Sequence, residues 1–396
     1  MALQNVHIRV NDAATGQPTP VRLRVTDEAG SYFAPFGHAA EFPTGRGEAV
    51  GRDVLVGHER WAYIDGACEM AVTPGRLLVA IEKGPHFRPI RETVELPPGK
   101  MSLRFAIERT ETRQAGHYAG DMRVHSISPH AALLEAQAED LDVVQILAAV
   151  TPLLARDGHS CLTFPNLESF SGQGSILERD GRLVIVGTLN SHPVLGSLAL
   201  YHCHRIVFPL TFGGADATDD WSLGDWCDQC HRKKGLVVWV GATPALHGAE
   251  ALAHAILGHI DAIELTPNYT DALTVWRQLL AAGVRLPIVG SSGKESNAVA
   301  MGACRTVVQL NPGESLTPAT WTEAVRAGRT VVTCGPSLRF TAEGEPLRRD
   351  ERIIATLSRR LEAGREWVER EGRFEKDRSR EQLVGTFDAA LKRLRQ

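Results

Sequence analysis

The chain has 396 residues, 43% of them hydrophobic and 23% charged, and its formal net charge is −4. This composition is typical of a soluble globular protein of two or three domains, and the slightly negative charge provides no basic field to attract nucleic acid. Since no apolar run approaches the ~20 residues that span a bilayer, we also expect no membrane partner.

The start of the chain and its cysteines favour a cytoplasmic location. Residues 1–10 lack the basic and apolar regions of a signal peptide, and they already alternate between apolar and polar side chains. The seven cysteines are scattered and odd in number. Such usage is more typical of a reducing compartment than of a disulfide framework.

Residues 1–112 are predicted to form an all-β sandwich domain. Apolar and polar residues alternate, as in strands with one buried face, over the segments 6–10, 21–25, 77–81 and 101–107. Turn sequences rich in proline and glycine lie between these segments. Short strands separated in this way are typical of a β-sandwich.

Residues 113–344 change to an alternation of strands and helices. The predicted strands are 182–189, 198–201, 236–240, 262–265, 288–290 and 306–310. The predicted helices are 130–140, 222–234, 249–258, 270–282 and 318–328. This order favours an α/β domain with parallel strands and crossover helices, either open or closed into a (β/α) barrel.

Residues 345–396 are predicted to form a charged helical C-terminal extension. Apolar residues recur there at helical spacing, in the groups Ile353, Ile354, Leu357, Leu361 and Leu383, Val384, Phe387, Leu391, Leu394. Two amphipathic helices would bury these faces against the barrel of their own chain or against a second copy in a homodimer. We favour packing within the chain and keep the homodimer as the alternative.

The most informative segment is the predicted strand at residues 120–125. Because side chains alternate along a strand, Asp121, Arg123 and His125 are predicted to share one face. A His-x-His pair at such a strand end is a metal-binding corner of barrel enzymes. Here Arg123 stands at the first position and His125 at the second, so the metal chemistry is altered.

This segment resembles the first metal motif of PHP-like metallohydrolases of the CehA/McbA type, relatives of the polymerase and histidinol phosphatase domain. The resemblance rests on HYAGDMRVH (117–125), LEAQAEDLDV (134–143), GHIDAIEL (258–265), GACRT (302–306) and residues 321–336. YIDG (63–66) and EKG (82–84) resemble the N-terminal β-domain of the same family. The resemblance covers most of residues 5–340 and implies a distorted (β/α) barrel preceded by a β-sandwich.

The resemblance also implies a cofactor and a reaction class. Family members are expected to bind a divalent metal, zinc or manganese, at the carboxyl ends of the barrel strands. Such an ion lowers the pKa of bound water to about 7, which suits hydrolysis of a small ester, amide or phosphoester. The ion needs several His, Asp or Glu ligands that converge on one point.

Most of the expected ligand positions are substituted in this sequence. Non-ligand residues stand at Arg123, Leu189, Ser197, Gly241 and in the loop 290–294, whereas His125 is the surviving metal position. An arginine is a permanent cation and repels a metal ion. Two hypotheses follow: a hydrolase with a degenerate or rearranged metal site, or a non-catalytic pseudoenzyme barrel that binds a small anionic ligand.

The candidate site residues fall into two groups. Asp121, His125 and Glu264 are the candidate catalytic residues, because they would supply any metal ligands or base. Four residues are the candidate ligand-binding residues: Arg123 and Lys294 by charge, Asn268 at a predicted strand end, and Ser292 in a small-residue loop whose amides could hold an anion.

Two further motifs have alternative interpretations. His202 and His204 have the spacing of two ligands on one strand face, which makes them candidate replacement metal ligands. Counting from Ser197 places them on the opposite face, towards the helices, unless a bulge intervenes. The sequence CDQCH (227–231) matches a haem c attachment pattern, which we interpret as a coincidence within a predicted helix.

Overall fold

The computed structural model describes residues 3–45, 48–154, 160–214, 218–245, 248–268, 270–335 and 350–396. The predicted domain boundary at 344/345 and the last residue of the 321–336 motif lie outside the described residues. The strands before residue 112 are β1 (Gln4–Asp12), β2 (Val21–Asp27), β3 (Asp53–Val56), β4 (Glu59–Ile64), β5 (Ala67–Val72), β6 (Gly75–Glu82), β7 (Ile90–Leu96) and β8 (Ser102–Ile107).

These strands form two sheets that share one core. The sheet orders are β5-β1-β8 and β3-β4-β2-β6-β7. Val6, Ile8 and Val10 of β1 alternate inward and meet Leu23 and Val25 of the facing sheet. The strands predicted from alternation are therefore confirmed, because one buried face gives each strand a period of two.

The rest of the chain supplies a mixed α/β region. Its strands are β9 (His117–Val124), β10 (Val143–Ala149), β11 (Thr151–Leu154), β12 (Ser160–Thr163), β13 (Leu177–Arg179), β14 (Arg182–His192), β15 (Gly196–Tyr201), β16 (Leu236–Val240), β17 (Ala262–Leu265), β18 (Ile288–Gly290), β19 (Arg305–Gln309) and β20 (Thr330–Thr333). Its helices are α1 (Pro129–Ala138), α2 (Leu223–Arg232), α3 (Ala249–Leu257), α4 (Thr270–Ala281), α5 (Pro318–Arg326), α6 (Glu351–Arg370) and α7 (Asp377–Arg395), with a short 3-10 turn at Leu167–Ser169.

Ten described strands of this region form a sheet in the order β18-β17-β16-β15-β14-β10-β9-β19-β20, with β13 paired to β14, whereas β11 and β12 form a separate two-stranded sheet. β9, β10 and β14 are parallel to one another, and so are β16, β17 and β18. However, β15 is antiparallel to both of its neighbours, and β19 is antiparallel to β9 and β20. The expectation of parallel strands therefore holds for part of the sheet, and the sheet as a whole is mixed.

The two ends of this sheet come close together. Thr330 Oγ1 in β20 donates to Ile288 O in β18 at 2.8 Å. Gly290 N in β18 donates to Thr306 Oγ1 in β19 at 2.7 Å. The sheet is therefore nearly closed and barrel-like.

The helices begin at recognisable caps. Ser128 caps α1 and precedes a proline at its first turn, and Ser222 and Asp225 form a capping box at α2. These side chains accept the backbone N–H groups that a helix start leaves unbonded. Helix starts near 130, 222 and 318 were predicted from the sequence, and the structure confirms them.

The C-terminal helices pack on the barrel region of their own chain. Leu357 and Leu361 of α6 and Phe387 and Leu391 of α7 share one buried core with Leu252 of α3. The predicted apolar faces are thus covered within the chain, and the homodimer through them stays a prediction without support. Among the described residues, no helix is both long and apolar enough to cross a membrane.

Candidate functional site

The carboxyl ends of β9, β17 and β18 meet at one edge of the barrel-like sheet, where a cavity of about 550 Å³ opens. We call it the mouth cavity. It is lined by Arg123 near the end of β9, by residues 266–268 after β17, and by the loop after β18. The tip of the β3–β4 hairpin, residues 55–57, forms a further wall. Strand ends and the loops beyond them are where α/β folds usually place ligands.

Beside the acidic Glu295, the charged residue that lines this cavity is Arg123. Its Nε donates to Glu264 Oε1 at 2.6 Å, and its Nη1 lies 3.4 Å from His125 Nε2. Its Nη2 makes no hydrogen bond to the residues that the structure describes. A guanidinium held along one edge and open along another can bind a carboxylate or phosphate.

The surroundings keep Arg123 charged and accessible. Burial is the largest single effect on the pKa of Arg123 and lowers it, but the charge and hydrogen bond of Glu264, with smaller contributions from nearby groups, together raise it. A Cβ atom added at Gly293 would lie only 3.0 Å from Arg123 Nη2. Because Gly293 has no side chain, the space next to Arg123 Nη2 stays open. A larger residue at this position would occupy part of it.

Glu264 orients Arg123. It is 3% exposed, and its Oε1 accepts hydrogen bonds from both Arg123 Nε and Ser291 Oγ. Its Oε2 is buried without a hydrogen-bond partner among the described residues. The structure thus brings Glu264 together with Arg123, as a buried ion pair rather than as a free carboxylate.

Asp121 is fully buried and bound by backbone groups. Its Oδ1 accepts from Arg123 N and Ser292 N, at 3.2 and 3.0 Å, and its Oδ2 accepts from Gly302 N at 2.8 Å. Burial raises the pKa of Asp121 above its ordinary value, although these hydrogen bonds oppose the rise. The carboxyl group joins the end of β9 to two loops and does not line the mouth cavity.

His125 lies beside Arg123 at the end of β9. Its Nδ1 donates to Leu147 O at 3.0 Å, so a neutral His125 carries its proton on Nδ1 and keeps a lone pair on Nε2. The side chain is 9% exposed. The structure therefore brings Arg123, His125 and Glu264 together.

Lys294 is placed differently from the prediction. It is 0% exposed, and its Nζ donates to Val299 O at 2.8 Å and lies 3.5 Å from Glu135 Oε2. The ammonium group thus points towards α1, away from the mouth cavity, and this position does not offer it to an anion there. The loop after β18 turns its lysine inward because Glu135 provides a buried counter-charge.

Asn268 and Ser292 both line the mouth cavity. Asn268 is exposed, and no contact of its side chain fixes its role. Ser292 uses its backbone N–H for Asp121, and its Oγ accepts from Lys294 N at 3.2 Å. Ser292 therefore shapes the loop, and its amide is already occupied.

His202 and His204 lie at the opposite end of the sheet. Because β15 is antiparallel to β16, its last residue, Tyr201, pairs with the first residue of β16, Leu236. His202 has a φ of 57° and a pKa lowered by burial, whereas His204 is exposed with Nδ1 3.5 Å from Lys233 O. The structure does not bring this pair to His125.

The CDQCH sequence lies within α2, as predicted. Cys227 and Cys230 are buried in the helical core, where Cys230 Sγ lies 3.2 Å from Cys203 Sγ. His231 Nε2 lies 3.0 Å from Asp261 Oδ2. These contacts give the side chains packing and hydrogen-bonding roles.

The described residues at the mouth do not fit a divalent metal. Glu264 is paired with Arg123, Asp121 is bound by backbone amides, and His125 Nε2 faces the Arg123 guanidinium. A cation would be repelled by Arg123 at this point. Among the residues that the structure describes, no group of three or more His, Cys, Asp or Glu side chains could hold a metal ion.

The sequence did not predict two contributors to the mouth. The β3–β4 hairpin reaches the cavity from a sheet that is remote in sequence, and no local pattern encodes such a contact. The hydrogen bond from buried Ser291 to Glu264 likewise joins the loop after β18 to β17, two segments that are apart in sequence. A hydrophilic loop after a strand indicates a candidate ligand site. It does not show which remote segment of the chain packs against that loop.

No family model and no curated protein matches the chain. Among solved structures, PsfC from Pseudomonas syringae PB-5123 is similar with a TM-score of 0.36 and 14% identity, over 63% of this chain and 99% of that chain. The lesion-specific endonuclease PfuEndoQ from Pyrococcus furiosus is similar with a TM-score of 0.35 and 14% identity, over 55% and 57% of the two chains. Similarity at this level does not assign the chain to a family.

Proposed function

We propose that the barrel mouth binds a small organic anion through Arg123 and that it does so without a divalent metal. The observation that carries this proposal is the Arg123 guanidinium, which is oriented by Glu264 and has a nitrogen open to a cavity of about 550 Å³. Cavities of this size fit small molecules. A planar guanidinium recognises carboxylates and phosphates with two parallel hydrogen bonds.

The proposal favours the binding alternative over metal-dependent hydrolysis. In a metal site, Asp121 and Glu264 would have to be released from backbone amides and from Arg123, and the Arg123 guanidinium would have to move away from His125 Nε2. An anion needs no such change, because Arg123 is already a cation with an open edge. The barrel would then be a pseudoenzyme relative of the PHP-like metallohydrolases that the sequence resembles.

Anion titration by calorimetry tests the proposal, with benzoate and phenyl phosphate as probes. We expect binding by the wild type and at least tenfold weaker binding by Arg123→Gln, since one lost charged hydrogen bond is worth about 1.4 kcal/mol or more. Arg277→Gln removes an exposed arginine of α4 and is the matched control. The double variant Arg123→Gln/Glu264→Gln removes both charges of the ion pair and keeps the test valid if Arg123→Gln alone does not fold.

Two results would overturn the proposal. The first is equal benzoate affinity of the wild type and the double variant, or no binding of benzoate to the wild type. The second is a near-stoichiometric metal content in protein purified without a chelator that is abolished by His125→Ala.

A second candidate function is metal-independent hydrolysis with His125 as general base. The hydrogen bond from His125 Nδ1 to Leu147 O favours it, because it fixes the tautomer whose lone pair is on Nε2, the nitrogen that lies 3.4 Å from Arg123 Nη1. Turnover of p-nitrophenyl acetate that is lost in His125→Gln would support this candidate. Equal rates for the wild type and His125→Gln would exclude it.

A further inference from the structure

A second cavity, of about 530 Å³, lies between the N-terminal β-sheets and the barrel-like sheet. We call it the junction cavity. Its walls come from Arg22, from Glu82 at the end of β6 and the segment that follows it, from Glu139 after α1, and from Arg305 at the start of β19 and the segment before it. Cys334 and Gly335 complete one side. None of the mouth residues Arg123, Glu264 or His125 lines it.

Arg305 is a buried cation without a carboxylate partner. It is 9% exposed, and its Nε and Nη1 donate to Gly302 O and Glu139 O at 3.0 and 3.1 Å. Its Nη2 makes no hydrogen bond within the part of the chain that the structure describes. Burial lowers the pKa of Arg305, and the more distant carboxylates do not restore it.

Lys83 is also a buried cation without a carboxylate partner among the described residues. It is 4% exposed, and its Nζ donates to Pro20 O and Gln137 O, each at 2.7 Å, and lies 5.4 Å from the centre of the Phe87 ring. Among the described residues, no carboxylate lies within 4 Å of this ammonium group. Burial lowers the pKa of Lys83 to about 8.

Other cations of the same region are paired. Arg22 forms ion pairs with Glu82 and Glu139, and Arg113 forms ion pairs with Asp140 and Asp142. The lack of a counter-ion is therefore particular to Lys83 and Arg305, not a general feature of the junction. Buried charges are normally paired because an uncompensated charge costs several kcal/mol.

We propose that the junction cavity binds a phosphate monoester of a small molecule, whose dianionic group is the counter-ion of Lys83 and Arg305. Two unpaired positive charges match the two negative charges of a phosphate monoester near neutral pH. The cavity is larger than a phosphate group requires, and Val56, Phe87 and Met301 add apolar walls for an organic part. This site is separate from the mouth and does not depend on the function proposed for it.

Calorimetric titration of the full chain at constant ionic strength tests the inference. The probes are phenyl phosphate, inorganic phosphate and succinate. We expect phenyl phosphate to bind more tightly than inorganic phosphate, and both more tightly than succinate. Succinate binding as tightly as phenyl phosphate would overturn the phosphate assignment.

Variants distinguish ligand binding in the junction cavity from ligand binding in the mouth cavity. Phenyl phosphate should lose its junction binding, with at least tenfold weaker affinity, in Arg305→Gln and in Lys83→Gln. The exposed Arg104→Gln is the matched control, and Arg123→Gln/Glu264→Gln should keep the junction binding. If Arg305→Gln does not fold, Lys83→Gln and the charge-retaining Arg305→Lys supply the comparison.

Each outcome is decisive for this site. Equal affinities in the wild type, Arg305→Gln and Lys83→Gln would overturn the inference. So would phenyl phosphate binding that depends only on Arg123, because all of it would then belong to the mouth. Loss in the junction variants, with retention in the mouth variant, supports it even if the function proposed for the mouth fails.

Discussion

Glu135 and Lys294 form a fully buried ion pair beneath the loop that follows β18. Glu135 Oε1 also accepts from Arg52 N at 3.0 Å, which links α1 to the segment before β3. Burial raises the pKa of Glu135 to about 7, although the charge of Lys294 opposes the rise. A fraction of Glu135 is therefore protonated near neutral pH in the folded protein.

Glu135 should make stability depend on pH. Its folded pKa of about 7 exceeds its ordinary value of 4.5, so the folded state binds more protons between these limits and the free energy of unfolding falls as pH rises. Glu135→Gln cannot titrate. We expect the stability of the wild type relative to this variant to decrease by about 2–3 kcal/mol between pH 5 and pH 8.

Urea unfolding at several pH values measures this difference. Glu178→Gln removes an exposed carboxylate from β13 and is the matched control. A difference between the wild type and Glu135→Gln that stays constant from pH 5 to pH 8 would contradict the prediction.

At the scale of single residues, the sequence predicted the neighbourhood of Arg123 and His125 but not that of Lys294. Two residues that are two apart at one strand end stay close, as the 3.4 Å between their side chains shows. The direction of Lys294 depends on the path of a loop and on Glu135, which is remote in sequence. Spacing along the chain contains no information about such a partner.

Among the helices, α6 approaches α3 and α7 closely at Gly364. A Cβ atom added to Gly364 would lie 2.7 Å from Ala249 Cβ in α3 and 2.7 Å from Phe387 Cε1 in α7. Gly364 is buried in the middle of α6. The absence of a side chain there allows the three helices to pack against one another.

Gly364→Ala should therefore destabilise the protein, although alanine favours a helix. The added methyl group overpacks the contact and should lower the free energy of unfolding by about 1–3 kcal/mol. Gly385→Ala in α7 is the matched control, because nothing lies within 4 Å of its added Cβ. This control should stabilise by about 0.5–1 kcal/mol. Thermal and urea unfolding of both variants measure the two signs, and stabilisation by Gly364→Ala would refute the close contact.

The sequence predicted the positions of most helices and strands but not the directions of all strands. The segments 236–240, 262–265 and 288–290 match β16, β17 and β18, because each is a short apolar run between polar turns. The antiparallel direction of β15 follows from the short connection after β14, residues 193–195. No helix fits in so short a connection, and parallel neighbours need a crossover of about a dozen residues or more. The length of this connection is therefore the feature of the sequence that determines the antiparallel direction.

For the molecule as a whole, Asp140 joins the N-terminal region to the barrel. Its carboxylate is 1% exposed and lies within 4 Å of four basic side chains: His86, Arg109, Arg113 and Arg182. Burial alone would raise the pKa of Asp140, but hydrogen bonds from His86 and Arg113 and the arginine charges hold it well below its usual range. One carboxylate thus neutralises cations from several parts of the chain.

Asp140→Asn should destabilise the whole molecule. It leaves buried cations without their counter-ion, which costs about 3–5 kcal/mol. Because the folded pKa of Asp140 is depressed, its contribution is present above about pH 4 and is lost as pH falls further. Asp180→Asn is the matched control, since Asp180 is exposed and also has a positive φ, 52° against 57° for Asp140. Urea unfolding at pH 7 and pH 3 measures both effects, and equal stabilities of the two variants at pH 7 would contradict the prediction.

Val56, Ala300 and Ala303 line both the mouth cavity and the junction cavity. These side chains therefore form a wall that the two cavities share. A ligand in one cavity that displaces this wall would change the shape of the other cavity. By thermodynamic linkage any such influence is mutual: a ligand that changes the affinity of the other cavity by some factor has its own affinity changed by the same factor.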